Sequence, residues 1–308
     1  AAGASGLGGE GAVKIGLVFP TCDIGSDPVA IRDYVQAAEA LGFDSLLCFD
    51  HVLGAVHADR EPPLTGPYDE TFPFHEPIVL LAWIAAFTRR IELATGVLVL
   101  PQRPAALVAK QAAELQLLSG GRLRLGVGVG WNRVESECLG ARFADRGERV
   151  DEQIEVLRRL WREPVVDYTG AHHRIDRAGI RPLPAVPIPI WIGGATPRAY
   201  ARGARLGDGF VFRPDDREYG ETLAALRAER IRLGRDPAGF GAECSASYAR
   251  GPEHWRRLFE HWQAAGGTHF SLQVTQYGAE RLGAPAADVH SIADHIRALE
   301  RFMTVVRS

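Results

Sequence analysis

Apolar and polar positions alternate between two periods along the whole chain. Short, almost continuously apolar runs occur at KIGLVF (14–19), SLLCFD (45–50), IELATGVLVL (91–100), RLRLGVGVG (122–130), IPIWIGG (188–194), GFVF (209–212), ECSASY (243–248) and THFSLQV (268–274). Runs of that length, rich in β-branched and aromatic residues, predict strands buried on both faces. Between them lie segments of helical period: Pro28 to Leu41, Glu76 to Thr88, Pro104 to Leu118, Glu148 to Trp161, Pro197 to Leu206, Glu218 to Leu233, Glu253 to Ala265 and Ile292 to Val306. In the first, Val29, Ile31, Val35 and Ala38 mark the apolar stripe and Gly42 the stop. Ser119-Gly120-Gly121 closes the third.

Strict alternation of strand and helix without a linker predicts an α/β fold built as a single (β/α)8 TIM barrel over residues 12–308. Two segments break the rhythm. PVVDYTGAHHRID reads as a hairpin around Thr169-Gly170, and with the proline-rich stretch after it forms an insertion at 164–187, before the fifth strand. The loop at 52–76 is long, and it follows the second strand, so it should lie over the C-terminal mouth where barrel enzymes keep their sites. Residues 1–11, AAGASGLGGEG, have no basic start and no apolar core, and read as a flexible arm rather than a signal peptide.

Composition narrows the function. Of 308 residues, 46% are hydrophobic and 24% charged, the balance of a globular domain. A net charge of −3 argues against nucleic acid or an anionic membrane as the main partner. No apolar run is long enough to span a bilayer. The four cysteines, Cys22, Cys48, Cys138 and Cys244, form no CxxC pair, so neither a disulfide framework nor a metal site is expected, and a reducing cytoplasm is the default location. Only two lysines occur, Lys14 and Lys110, and neither sits at the end of a strand where a Schiff-base aldolase would need it. The first strand ends Phe19-Pro20-Thr21, without the histidines of a metal-dependent barrel hydrolase.

Gly126, Gly128 and Gly130 in RLRLGVGVGWNRVE raise the question of a dinucleotide turn. The spacing is G-x-G-x-G, it comes late in the chain, and Trp131 follows instead of a helix start, so the Rossmann reading fails on context. Two readings stay open and are compatible: glycines that allow close packing or a bulge, and glycines that let a flat ligand lie at the strand end. Thr95-Gly96-Val97 within the third strand poses the same question.

The ordered series IELATGVLVLPQRPAALVAKQAAELQLLSGGRLRLGVGVGWNRVESECLG, FADRGERVDEQIEVLRRLW and PIPIWIGGATPRAYARGARLGDGFVF resembles the bacterial luciferase-like monooxygenase superfamily. Within it the chain is most similar to the branch of oxidoreductases that use coenzyme F420, a deazaflavin. That resemblance implies a (β/α)8 barrel with an insertion, and hydride transfer between reduced F420 and a small organic substrate. The alternatives are an FMN-dependent monooxygenase using reduced flavin and O2, and a non-catalytic flavin-binding protein. Family members are commonly dimers, so a homodimer is expected.

Carried over by position, the resemblance places a non-proline cis peptide at Gly96–Val97, so Thr95, Gly96, Val97 and Gly128 would back the ring. Gly193, Gly194, Ala195 and Thr196 would hold its phosphate. Independently, Thr196 suits a helix N-cap and Pro197 the first helical position, a start that favours anions. His51 would be the catalytic acid/base, a role suited to imidazole near neutral pH. Asp50 either orients that ring or caps the loop. Trp131 stands where some relatives carry an acid, so their proton donor does not transfer. Trp131 is expected to wall the substrate pocket, and Glu135, one turn on, to lie on a helix surface. Tyr68 and Phe72, with Phe74 and His75, form a lid or substrate wall, or only pack the loop down. His172, His173, His254, His261, His290 and His295 are read as surface or packing residues.

Overall fold

The computed structural model describes residues 12–214, 218–274, 276 and 285–307, and all eight expected strands fall within these bounds. The expected arm at 1–11 lies outside the described residues. The strands are β1 (Lys14–Val18), β2 (Ser45–Cys48), β3 (Glu92–Thr95) with β4 (Leu98–Val99), β5 (Leu123–Gly128), β8 (Ile190–Gly193), β9 (Gly209–Val211), β10 (Gly241–Ser247) and β11 (His269–Gln273). β6 (Val166–Thr169) and β7 (Arg174–Ala178) make the separate antiparallel hairpin. The parallel order is β3-β2-β1-β11-β10-β9-β8-β5-β4, and β3 also pairs with β5, which closes the barrel. β3 and β4 are thus one barrel strand interrupted at Gly96–Val97.

The helices are α1 (Pro28–Ala40), α2 (Pro77–Phe87), α3 (Ala105–Leu118), α4 (Arg133–Cys138), α5 (Arg146–Arg162), α6 (Pro197–Leu206), α7 (Tyr219–Arg232), α8 (Pro252–Ala264) and α9 (Ile292–Val306). α4 is absent from the segments of helical period, although Glu135 within it is expected on a helix. α1, α2, α6 and α8 begin with proline, where the missing N–H costs no intrahelical bond. In α1, Ile31, Tyr34, Val35 and Ala38 face inward, while Val29, expected on the stripe, is exposed.

Strand residues alternate between two environments. Leu46, Leu93, Leu125, Ile192, Phe210 and Phe270 are buried beneath the helices. Their neighbours face the barrel interior, which is unusually polar. Gly16, Ser45 and Ser271 are aligned in register, and a Cβ on Gly16 would fall 2.3 Å from both serine hydroxyls. At the N-terminal end the Trp191 ring lies across Gly209 and Gly241, where a Cβ would come within 2.4 and 2.0 Å of it. The Arg124 guanidinium stacks 4.1 Å above that ring and pairs with Glu92 (2.5 Å) and Glu243 (2.7 Å). This plug closes the bottom of the barrel and leaves the opposite mouth, where β2, β4 and β5 end, for chemistry.

The hairpin of the 164–187 insertion is tied to α5. Glu152 accepts the backbone N–H groups of Ala171 and His172 and meets His173 Nδ1 at 2.8 Å.

Candidate active site

The mouth is built from four chain segments. β2 ends at Cys48, and Phe49-Asp50-His51 leads into the long loop. β4 runs into a short 3-10 turn, Leu100–Gln102. β5 is followed by Trp131 and α4. β8 leads to Gly193-Gly194 and α6.

Asp50 is buried, 3% exposed, and does not reach His51. Its Oδ2 accepts the backbone N–H of Val99 at 2.8 Å, and its Oδ1 accepts from Arg103 at 2.7 Å. Asp50 therefore fastens the end of β2 to the start of the turn after β4. The role of orienting the imidazole, one of the two expected of it, belongs elsewhere.

That role falls to Glu135. The sequence reading placed it on a helix surface, but it is only 1% exposed. His51 Nδ1 lies 2.9 Å from Glu135 Oε2. Oε1 accepts the backbone N–H of Val52 (2.5 Å) and of Leu53 (3.2 Å), and Gln102 Nε2 donates to it at 3.3 Å. A short capped helix aims the carboxylate: Asn132 Oδ1 accepts the Glu135 N–H at 3.1 Å. Burial pushes the Glu135 carboxyl upward, but the His51 contact and the two backbone donors outweigh it and hold it below the ordinary carboxylate range. A carboxylate only accepts, so Nδ1 carries the hydrogen and, in the neutral ring, Nε2 is the basic nitrogen. Nε2 takes no hydrogen-bond partner among the described residues.

The expected wall residues meet at this histidine. The rings of Tyr68, Phe74 and Trp131 stand edge-on to His51 at centroid distances of 5.3, 4.9 and 5.5 Å. Phe72 packs on Tyr68 at 5.1 Å, one layer out. Gly66 lies flat on Trp131, where a Cβ would fall 2.1 Å from the ring. His57 Nε2 meets the Tyr68 carbonyl at 2.9 Å and pins the loop to itself. His75 is turned away, against Phe19 and the Gly25 carbonyl. Among the described residues no cluster of His, Cys, Asp and Glu has the geometry of a metal site.

The glycines of β5, and Gly130 just after it, serve close packing around a bulge, the first of the two compatible readings. The Gly96–Val97 peptide is cis, and the Val97 side chain points into the barrel. A Cβ on Gly128 would lie 2.5 Å from Val97 Cγ2, and one on Gly193 2.6 Å from Val97 Cγ1. A Cβ on Gly126 would meet the Thr95 carbonyl at 2.0 Å, and one on Gly130 would meet Val99 at 2.5 Å. The bare backbone of β5 makes room for the interrupted strand beside it. Gly128, expected among the residues that back the ring, lies against Val97. Thr95 Oγ1 donates to the Gly126 carbonyl at 2.6 Å and fixes the bulge.

Across the mouth, Thr196 caps α6 as expected, its Oγ1 accepting the Ala199 N–H at 3.2 Å. Gly194 is required twice over: its φ is +145°, and a Cβ would lie 2.8 Å from that of Ala199. In the first turn of α6, Pro197 has no N–H, Thr196 takes those of Ala199 and Tyr200, and the Arg198 N–H is left without an intrahelical partner.

Sequence reasoning missed Glu135, Gln102, Arg103 and Gly66. Gln102 and Arg103 sit in the conspicuous PQRP that follows β4, which was a readable signal. Three of the groups that its carboxylate meets, on His51, Val52 and Leu53, lie more than eighty residues away in sequence and leave no local trace.

The model of the luciferase-like monooxygenase family matches residues 14–303. An uncharacterized protein of Mycobacterium tuberculosis is 38% identical over 201 residues, covering 64% of this chain and 69% of its own. The F420-dependent glucose-6-phosphate dehydrogenase of Segniliparus rotundus is 30% identical over 245 residues, covering 75% and 68%. Among solved structures, an F420-dependent secondary alcohol dehydrogenase bound to an F420-acetone adduct superposes with a TM-score of 0.74 at 17% identity, covering 96% of this chain and 99% of the other.

Proposed function

The chain belongs to the luciferase-like monooxygenase family, and from that premise we propose that it is an F420-dependent oxidoreductase moving hydride between the deazaflavin and a small organic substrate. The observation that carries the reading is the His51–Glu135 pair at 2.9 Å. It presents one basic nitrogen, Nε2, inside an aromatic enclosure at the barrel mouth. The F420 dependence named for a relative 30% identical over three quarters of this chain supports the choice of cofactor.

The residues present fit such a group. Val97 lies between Gly128 and Gly193, positions without side chains, and offers a flat apolar floor for a planar ring. Thr95, Gly96 and Val97 would back that ring through the bulge. Gly193, Gly194, Ala195 and Thr196, with the Arg198 N–H in the first turn of α6, would hold the phosphate. When bound, the deazaflavin supplies a ring carbon that takes or gives hydride.

The chain's own residues do the rest. His51 Nε2 removes the hydroxyl proton of an alcohol, or returns one to a carbonyl oxygen. Glu135 holds Nδ1–H and so keeps Nε2 aimed. Tyr68, Phe74 and Trp131 exclude water from that proton.

Titration of the purified protein with F420 and with FMN tests the assignment. Binding and reduction of F420 with an alcohol, without oxygen uptake, is the expected result. Tight FMN binding with negligible F420 affinity would replace the reading with an FMN monooxygenase that uses reduced flavin and O2.

A further inference from the structure

The wall around His51 restricts what can be oxidised or reduced there. Building on the oxidoreductase reading, we infer that the substrate is an uncharged alcohol or carbonyl compound with an apolar body, and that phosphorylated and carboxylated compounds are rejected.

Three observations converge. The first is the wall itself: Tyr68, Phe74 and Trp131 surround the imidazole edge-on, and Phe72 extends the apolar surface behind Tyr68. Edge-on rings offer dispersion contacts and no ionic partner.

The second is the fate of nearby charges. Arg103, the cation that follows β4, is spent between Asp50 (2.7 Å) and Glu76 (3.1 Å). Glu135 is fully engaged by His51, Val52, Leu53 and Gln102. In the loop that covers the site, Arg60 stands alone against Asp59, Glu61, Asp69, Glu70 and Glu76, and it donates to the Val56 carbonyl. The loop is therefore net acidic, and an anion bound beside His51 would lose its water without gaining a free cation.

The third is the layout of the barrel. In strand order, β2, which carries His51, and β9 are separated by β1, β11 and β10, so they face each other across the mouth. Arg198 and Arg213 follow β8 and β9. Arg198 and Arg213 thus follow the strands on the expected phosphate side, and on the His51 side Arg103 is already paired with Asp50 and Glu76.

In the forward direction the substrate's C–H bond breaks, with its electron pair leaving as hydride to the cofactor. Its O–H bond breaks, with the proton passing to His51 Nε2, and the carbonyl double bond forms. Nothing in this balance requires a charged substituent.

The test uses two probes of equal ring size. Cyclohexanone and cyclohexanecarboxylate are titrated calorimetrically into the F420-loaded protein, and cyclohexanol and glucose 6-phosphate are offered for turnover. The ketone should bind at least about tenfold more tightly than the carboxylate, and cyclohexanol should reduce the cofactor while glucose 6-phosphate does not. Equal or tighter binding of the carboxylate, turnover of glucose 6-phosphate, or failure of both cyclohexanone and acetophenone to bind would each overturn the inference. A ketone preference without any hydride transfer would leave this inference standing and remove the F420 reading. Turnover of the phosphosugar would do the reverse.

Discussion

His51 Nδ1 lies 2.9 Å from one oxygen of Glu135, and the other oxygen holds the backbone N–H groups of Val52 and Leu53. One carboxylate thus orients the imidazole and anchors the first two residues of the covering loop. Position of the base and closure of the loop are mechanically linked.

Glu135→Gln keeps the size but not the charge, and its amide cannot accept on both arms. Turnover should fall about 10- to 100-fold, the range for losing an outer partner that orients a functional imidazole. His51→Ala should cost more, about 100- to 10,000-fold, the usual worth of a positioned acid/base. Both should still bind cofactor. Steady-state kinetics with a pH profile checks this: a Glu135→Gln enzyme with unchanged turnover and an unchanged profile would show that the contact is only structural.

Asp50→Asn makes the contrasting case. Asp50 touches Val99 and Arg103 rather than His51, so its loss weakens the join between β2 and the turn after β4. Stability should fall on the order of 1–3 kcal/mol, the cost of leaving buried donors poorly paired. The shape of the pH–rate profile should stay that of the wild type. Chemical denaturation together with the profile separates the two roles; a profile displaced as in Glu135→Gln would return Asp50 to the imidazole.

Gly128→Ala tests what the glycines of β5 are for. The new methyl would sit 2.5 Å from Val97 Cγ2, an overlap that should cost about 1–3 kcal/mol. Val97→Ala in the same chain removes the obstructing methyls, so the double variant should recover much of that loss. A thermodynamic cycle measures the coupling. Additive losses would mean that the glycine answers to something other than Val97.

Much of this architecture was legible because parallel strands covered on both faces leave apolar runs, and α6 announces itself through Thr196-Pro197. The cis peptide at Gly96–Val97 also lies where the resemblance put it, and of the loop residues expected as a lid or wall, Tyr68 and Phe74 meet His51 while His75 does not. What escaped depends on register and distance. That β5 needs bare backbone was readable, but that Val97 fills the space follows only from how β4 pairs with β5. α4 is six residues long, too short to show a helical period, so nothing local marked Glu135 as buried.

His295 should make the fold sensitive to acid. It lies on α9, 2% exposed, edge-on to Tyr34 at 6.0 Å, with Nδ1 buried and without a hydrogen-bond partner. Burial lowers its pKa from 6.5 to about 4, against a smaller opposing pull from Asp294. Below pH 6.5 the unfolded chain takes up a proton that the native chain refuses. Stability therefore rises with pH across the window from about 4 to 6.5 and falls as acid is added through it. The full effect of this one group is on the order of 3 kcal/mol. His295→Leu removes the titrating group and keeps an apolar side chain against Tyr34. Its unfolding temperature should change less between pH 6.5 and 4 than that of the wild type. Some slope should remain, because burial also holds His269 well below its ordinary value. Thermal unfolding of both proteins across that window is the measurement; parallel curves would show that His295 is not among the groups that titrate on unfolding.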